Sequence, residues 1–223
     1  MTNFVVEPHP LLAVVAFETA LPSKLVELPP APALASLLAL SAEVPLKPSD
    51  ELRERVRKML RQGGYKPSGR GKPASEYLLR AATDGTLGSI HPTVDACNVV
   101  SLHSGFPISV VDLDLTRGAL SVRLGRAGES YVFNASGQTI DLEGLIVLAD
   151  DEGPSANAVK DSQRTKTRDE TVRTLSILWG TTADRGRLDA AADWYASLLR
   201  EHLGAETIPT TITSSQGSRS EPS

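Results

Sequence analysis

The apolar residues of this chain change their period at Gly105, and that switch constrains the fold more than any other feature. Before it, Leu52, Val56, Met59 and Leu60 recur at helical spacing behind Ser49, with Asp50 and Glu51 in the first turn and Gly63-Gly64 as a stop. A helix over 92–104 opens on Pro92, which suits a first helical position, and ends at Gly105. After it come short runs, Ile108–Leu113, Leu120–Leu124, Tyr131–Phe133 and Leu145–Ala149, separated by Gly, Asn and Asp turns. Val172–Trp179 reads as one more strand and 187–203 as a last helix, with Leu188, Ala191, Ala192, Tyr195, Leu198 and Leu199 inward. Helices amid several short strands define an α+β fold, a single domain of mixed or antiparallel strands packed with helices.

The remaining segments are less patterned. Residues 4–18 read as one strand with a Pro-His-Pro break before Leu11, and Ala33 to Leu40 as a short helix or buried turn. A helix over 74–82 is expected to bury Tyr77, Leu78 and Ala81, and 151–169 reads as a polar loop. The Ser/Thr-rich tail from Thr207 lacks apolar anchors and is expected to be disordered. The expected organisation is an N-terminal extension over 1–46 packed on the domain, a domain over 47–204 and a tail over 205–223.

Composition removes several classes. In 223 residues, 40% apolar content is enough for a core, and 4% aromatics leave few stacking surfaces for single-stranded bases. The single cysteine, Cys97, allows no internal disulfide and no thiolate metal pair. No stretch approaches the roughly 20 apolar residues of a membrane span. The run Leu11 to Phe17 lacks the basic start of a signal peptide, so a cytoplasmic protein without membrane partners is expected.

Charge is unevenly placed. The net charge is −4, which argues against coating nucleic acid through bulk charge, and DNA is not an expected partner. Yet residues 47–80 hold ten Lys/Arg against four Asp/Glu. A bare run of this kind is ordinarily a solvated helix face. The adjoining glycine-rich loop with Lys66, Arg70 and Lys72 shifts the reading toward a phosphate-contacting surface.

No local motif names an activity. Gly64–Gly69 has the gap of a nucleotide-binding P-loop, but Arg70 stands where Lys is required, no Ser or Thr follows, and a helix rather than a strand precedes it. His9, His91, His103 and His202 lack metal-ligand spacing, and no Gly-x-Ser-x-Gly elbow is present. Cys97 reads as a small core residue, and Asp112 with Asp114 as turn caps before cation ligands. No cofactor or metal is implied.

One ordered set of blocks goes further. It comprises Ile90-His91-Pro92-Thr93-Val94-Asp95-Ala96-Cys97-Asn98, then Gly105-Phe106-Pro107-Ile108, then Val111-Asp112-Leu113-Asp114, then Gly118 and Val122-Arg123. It resembles the B3/B4 domain of the phenylalanyl-tRNA synthetase beta subunit over roughly residues 50–200. Nothing resembles that enzyme's catalytic core, so the chain looks like a free-standing B3/B4 protein and not an aminoacyl-tRNA ligase.

The resemblance implies an α+β fold like that domain, tRNA as partner, and an editing site that hydrolyses mischarged aminoacyl-tRNA, as the synthetase's domain does with tyrosine wrongly attached to the phenylalanine tRNA. An aminoacyl ester is already activated, so a positioned water and polar groups near the developing oxyanion suffice without a side-chain nucleophile. Carried onto this chain, Asn98, Ser101, Gln138 and Arg164 are the implied hydrolytic residues. Asp112, His103 and Thr165 are the implied substrate pocket, and Arg57, Lys58, Lys66, Arg70 and Lys72 the tRNA contacts. Gln138 stands where the family's editing pocket has Glu, and Glu152–Thr167 replaces its Gly-Gly-rich loop. A non-catalytic RNA- or partner-binding module and a free amino-acid sensor are the alternatives.

Overall fold

The computed structural model of the protein describes residues 3–214. Two sheets organise it. One is five-stranded, in the order β11 (Thr211–Ser214), β1 (Asn3–Val6), β4 (Leu120–Leu124), β7 (Ile146–Asp150), β8 (Gly153–Asn157), with β1 parallel to both neighbours and the rest antiparallel. The other is four-stranded and antiparallel, in the order β10 (Glu206–Pro209), β2 (Leu12–Ala20), β9 (Arg173–Thr181), β3 (Ile108–Asp112). A small hairpin, β5 (Ser130–Val132) and β6 (Thr139–Asp141), stands beside them.

The helices follow their sequence signals closely. In α2 (Asp50–Leu60) the Ser49 hydroxyl accepts from the Leu52 amide at 3.2 Å, and Leu52, Val56, Met59 and Leu60 are all buried. Helix α4 (Pro92–Ser104) starts on Pro92 and ends at Gly105, whose φ of 83° is the left-handed conformation a helix stop favours. Helix α5 (Arg185–Leu203) packs on α4 and on β2 and β9, with Tyr195 edge-on to Phe17 at 5.2 Å between ring centroids. The short α1 (Pro32–Ser36) covers α4 from outside.

Four expectations are corrected. The strand expected over 4–18 is two strands in different sheets. The chain crosses between them at Pro8-His9-Pro10, where His9 Nδ1 accepts the amides of Leu11 and Leu12 at 3.3 and 2.9 Å. Part of the loop expected over 151–169 is β8, an edge strand whose Gly-Pro-Ser-Ala-Asn sequence has little intrinsic strand preference. Residues 206–214, expected within the unanchored tail, pair as β10 on β2 and β11 on β1. The rest of that expected tail, 215–223, lies outside the described residues. Helix α3 (Ala74–Thr83) buries only Ser75; Tyr77 is exposed and Leu78 and Ala81 are half-buried, because this helix walls a groove and does not lie on the core.

The loop between α2 and α3 is pegged from both sides. A Cβ on Gly63 would stand 2.1 Å from the Gly144 carbonyl oxygen, so only two glycines let this loop touch the turn before β7. The Tyr65 and Tyr77 hydroxyls donate to the carbonyls of Gly71 and Gly69 at 3.0 and 3.1 Å.

Candidate functional site

A pocket of about 190 Å³ opens between α4, α5 and one face of the four-stranded sheet. Thr19 and Leu21 come from β2 and its end, Ile108 and Val110 from β3, and Thr174 from β9. Helix α4 adds Thr93, Val94, Cys97 and Asn98, and α5 adds Tyr195 and Leu199. The fourth side is the segment after β8, with Asp161, Lys166 and Thr167. A cavity of roughly 150 Å³ holds a benzene-sized molecule, so this one has room for a group the size of an amino-acid side chain.

Asp161 is the pocket's single acid. Burial pushes its carboxyl up to about 6, against hydrogen bonding from Ser109 and the amides of Asn157 and Val110, and a weaker pull from Lys166. It is among no ion pair of the described residues. Its position is fixed by Asn157, whose Oδ1 accepts from the amides of Val159 and Lys160 at 2.7 and 2.9 Å. The Asn157 amide donates to the Tyr131 hydroxyl, which in turn donates to the Lys160 carbonyl at 2.5 Å. That network turns the chain so that Lys160 and Asp161 face the cleft.

Asn98 stands on the rim, half-buried, and its amide has no hydrogen-bond partner among the described residues. Asn98, Cys97 and Ile108 also border a second, open hollow against α3, where Arg70, Tyr77 and Lys160 stand. Arg70 and Lys160 in turn border a third hollow with Phe133 and Gln138. The Lys160 ammonium lies 4.0 Å from the centroid of the Phe133 ring. Asp161 and Lys166 both line the inner pocket, and Arg70 and Lys160 stand in the outer hollows, the outermost of which also has Asp141.

The structure brings together only some of the residues inferred from sequence. Asn98, Gln138 and Arg70 lie along the cleft, Gln138 at its outer end in the β5–β6 turn, bonded to Asn134 at 3.0 Å. Ser101 borders the second hollow, but its hydroxyl is spent on the Phe106 carbonyl at 2.8 Å. Arg164 does not reach the cleft; it is bonded to Asp150, Glu152, Gly153 and Ser155. Thr165 is buried with its hydroxyl on the Ser155 carbonyl.

Asp112 is buried, accepting from the Asp114 amide at 2.9 Å and the Thr171 hydroxyl at 2.6 Å, the turn-capping role. His103 points to the far side of α4, with Nε2 2.8 Å from the Leu37 carbonyl, and burial lowers its basicity. Of the cations, Arg57 is held by Glu76 and Glu54, tying α2 to α3. Lys58, Lys66 and Arg70 are exposed and Lys72 half-buried, and none has an ion pair among the described residues.

The sequence reading missed Asp161, Lys160, Thr19 and Thr174. Asn157 is a residue type that caps turns by accepting nearby backbone amides, a signal that the polar composition of 151–169 concealed. Cys97, the wall residue nearest in kind to a nucleophile, is pushed up to about 12 by burial and stays a thiol. Among the described residues no group of His, Cys, Asp and Glu is arranged to hold a metal ion, and no helix is long and apolar enough to cross a membrane.

The fold and cleft define an α+β domain that presents a small amphipathic pocket beside a basic loop. The B3/4 domain family model matches residues 68–193, more than half of the chain, and the chain belongs to this family. The beta subunit of phenylalanine–tRNA ligase from Legionella pneumophila (strain Lens) is 32% identical over 82 residues, 37% of this chain and 10% of that protein. The same subunit from Thiobacillus denitrificans is 40% identical over 75 residues, 32% of this chain and 10% of that protein. The chain thus aligns with about a tenth of the length of these relatives. An N-terminal fragment of the phenylalanyl-tRNA synthetase beta subunit from Pyrococcus horikoshii shares the fold, with a TM-score of 0.51 at 11% identity, covering 95% of this chain and 52% of that one.

Proposed function

We propose that this domain binds aminoacyl-tRNA and hydrolyses the ester of a mismatched amino acid. The observation that carries the reading is the place of Asn98 at the junction of two linked hollows, the inner one holding the single acid Asp161 beside Lys166 and the outer one Arg70 and Lys160. An aminoacylated tRNA end presents an ammonium group on the amino acid, then the ester, then ribose and phosphates, which Asp161, Asn98 and the Arg70–Lys160 hollow can meet in that order. The relatives named above are subunits of a tRNA ligase, which supports tRNA as the partner.

On this reading, the Asp161 carboxylate holds the α-ammonium group. The pairing supplies a partner for a carboxylate that burial otherwise disfavours. The side chain enters the inner pocket, and the ester carbonyl lies at the Asn98 amide. Water adds to the carbonyl carbon, and the Asn98 N–H groups stabilise the oxyanion that develops. The carbon–oxygen bond to the ribose then breaks, the ribose oxygen takes up the proton that the attacking water gives up, and free amino acid leaves. Arg70, Lys66 and Lys72 hold phosphates of the acceptor end.

The engagement of Arg164 and Thr165 in the loop's own structure and the outlying place of Gln138 favour a second reading, a module that binds tRNA without hydrolysis. A deacylation assay against a panel of correctly and wrongly charged tRNAs separates the two. Release above the buffer rate from a mischarged member, and not from correctly charged ones, supports editing. Tight retention of tRNA with no release from any member leaves the binding module.

A further inference from the structure

Ile108 and Val110 of β3 line the inner pocket, so Ser109 between them leaves the opposite face of the strand. Trp179 of β9 leaves that same face, and its indole Nε1–H donates to the Ser109 hydroxyl at 2.9 Å. Both residues are buried. Strand β3 is the outer strand of its sheet, and the segment after β8 runs along its open edge, where the Asp112 amide donates to the Thr165 carbonyl at 2.9 Å. Asp161 belongs to that segment. Its carboxylate therefore meets the pocket on one side and the Ser109 hydroxyl on the other. It accepts from Ser109 and from the amides of Val110 and Asn157, the last at 3.3 Å. The Ser109 hydroxyl also donates to the Asn157 carbonyl at 3.0 Å.

An indole N–H only donates, so the Ser109 oxygen accepts from Trp179 and the hydroxyl has one proton to give. Two acceptors compete for it, the Asn157 carbonyl and the Asp161 carboxylate. A hydrogen bond to an ionised group is roughly twice as strong as one between neutral groups. The proton therefore turns to Asp161 when that carboxyl is charged and to Asn157 when it is protonated. The two amides are fixed by the backbone, whereas the hydroxyl follows the charge. We infer that Ser109, oriented by Trp179, is the positioning residue that keeps Asp161 ionised and aimed into the pocket. The inference rests on the reading of Asp161 as the partner of the α-ammonium group. Ser109 acts through Asp161 and not on the ligand. The other titratable or charged groups around Asp161 are Cys97 of α4, Tyr131 of β5, Tyr195 of α5, and Lys166 and Lys160 of its own segment, the last turned to the Phe133 ring. Burial pushes the Cys97 thiol up to about 12 and raises both phenols, so none of the three changes charge between about pH 4 and 8.

The test uses the full chain, isotopically labelled at the aspartate carboxyl carbons, and follows the Asp161 signal by NMR against pH. Asp161→Asn identifies that signal by its loss. The wild-type midpoint should fall at about 6. In Ser109→Ala it should rise by about one pH unit, a tenfold gain in proton affinity, and Ser109→Thr, which keeps the hydroxyl, should return it toward the wild-type value. Ser109→Ala strands the buried indole N–H, so the double variant Ser109→Ala/Trp179→Phe, which removes both partners, should show the same raised midpoint without that defect. Titration calorimetry with L-phenylalaninamide and L-valinamide reads the consequence for a ligand. The affinity of whichever amide binds should fall in Ser109→Ala by about fivefold at pH 6 and about twofold at pH 7. An Asp161 midpoint unmoved in both alanine variants overturns the inference, and so does a loss of affinity that is equal at the two pH values. Amide binding with an unmoved midpoint removes the inference alone. A raised midpoint in a protein that binds neither amide leaves Ser109 acting on Asp161 and removes the ammonium reading instead.

Discussion

Arg164 grips both carboxylate oxygens of Asp150, at 2.9 and 2.7 Å, and the Asp150 side chain is completely shielded from solvent. The same guanidinium reaches Ser155 Oγ at 2.9 Å, so one side chain ties the end of β7 to β8 and to the segment that follows. Removing it strands a buried carboxylate. Arg164→Ala should therefore cost about 2–4 kcal/mol in urea unfolding. Arg164→Lys should recover little of that, because an ammonium cannot make the paired contact. Deacylation per folded molecule should stay within about twofold. A variant of wild-type stability with lost hydrolysis would return Arg164 to the reaction.

The basic segment divides into structural and free cations. Arg57 is bound to Glu76 at 2.7 and 2.5 Å, whereas Lys66 and Arg70 stand in solvent. Arg57→Ala should lower stability and leave the salt dependence of tRNA binding unchanged. The double variant Lys66→Ala/Arg70→Ala should do the reverse, reducing the slope of log K against log salt by about 1.5 with an unchanged melting midpoint. Filter binding across a salt series reads both. An unchanged slope in the double variant would place the RNA elsewhere.

How much of this was legible follows from which residues carry periodic signals. Helices α2 and α4 announce themselves through Ser49, Pro92 and Gly105, and β3, β4 and β7 through short apolar runs. Strand β8 was hidden because Gly153, Pro154 and Asn157 are poor strand formers that β7 nonetheless pairs with. Strands β10 and β11 were hidden because their partners, β2 and β1, are about 200 residues away in sequence. The site was half legible. Asn98 lies within a helix whose pattern identified it, while Asp161 and Thr19 reach the pocket only through tertiary packing that no local spacing encodes.

Asp161 should give the protein a pH signature. Its carboxyl is raised to about 6 in the fold by burial, against about 3.9 in an unfolded chain, so the folded state binds the proton more tightly. Its contribution to stability is fully present below about pH 4 and is lost as pH rises through about 6, by at most about 2–3 kcal/mol. Asp161→Asn should flatten that part of the stability profile. Ligand binding has the opposite sense, because an ammonium group needs the ionised carboxylate. The affinity of an amino-acid amide should rise as pH climbs past 6 in the wild type and not in Asp161→Asn. A wild-type affinity that is flat from pH 5 to 7 would exclude Asp161 as the ammonium's partner.

Asn98 offers the cleanest separation of chemistry from scaffold. Its amide has no hydrogen-bond partner among the described residues, and it sits where the inner pocket meets the hollow of Arg70 and Tyr77. Because nothing in the fold leans on that side chain, Asn98→Ala should change the melting midpoint by no more than a degree or two. If the amide stabilises the oxyanion, the loss falls on the transition state: kcat should drop about 10²-fold or more while KM for charged tRNA stays within about threefold. Asn98→Asp keeps the size but replaces the donor with an acceptor and should be at least as inactive. A rise in KM with kcat preserved would instead assign Asn98 to holding the bound ester, and the oxyanion would then need another donor from the same rim.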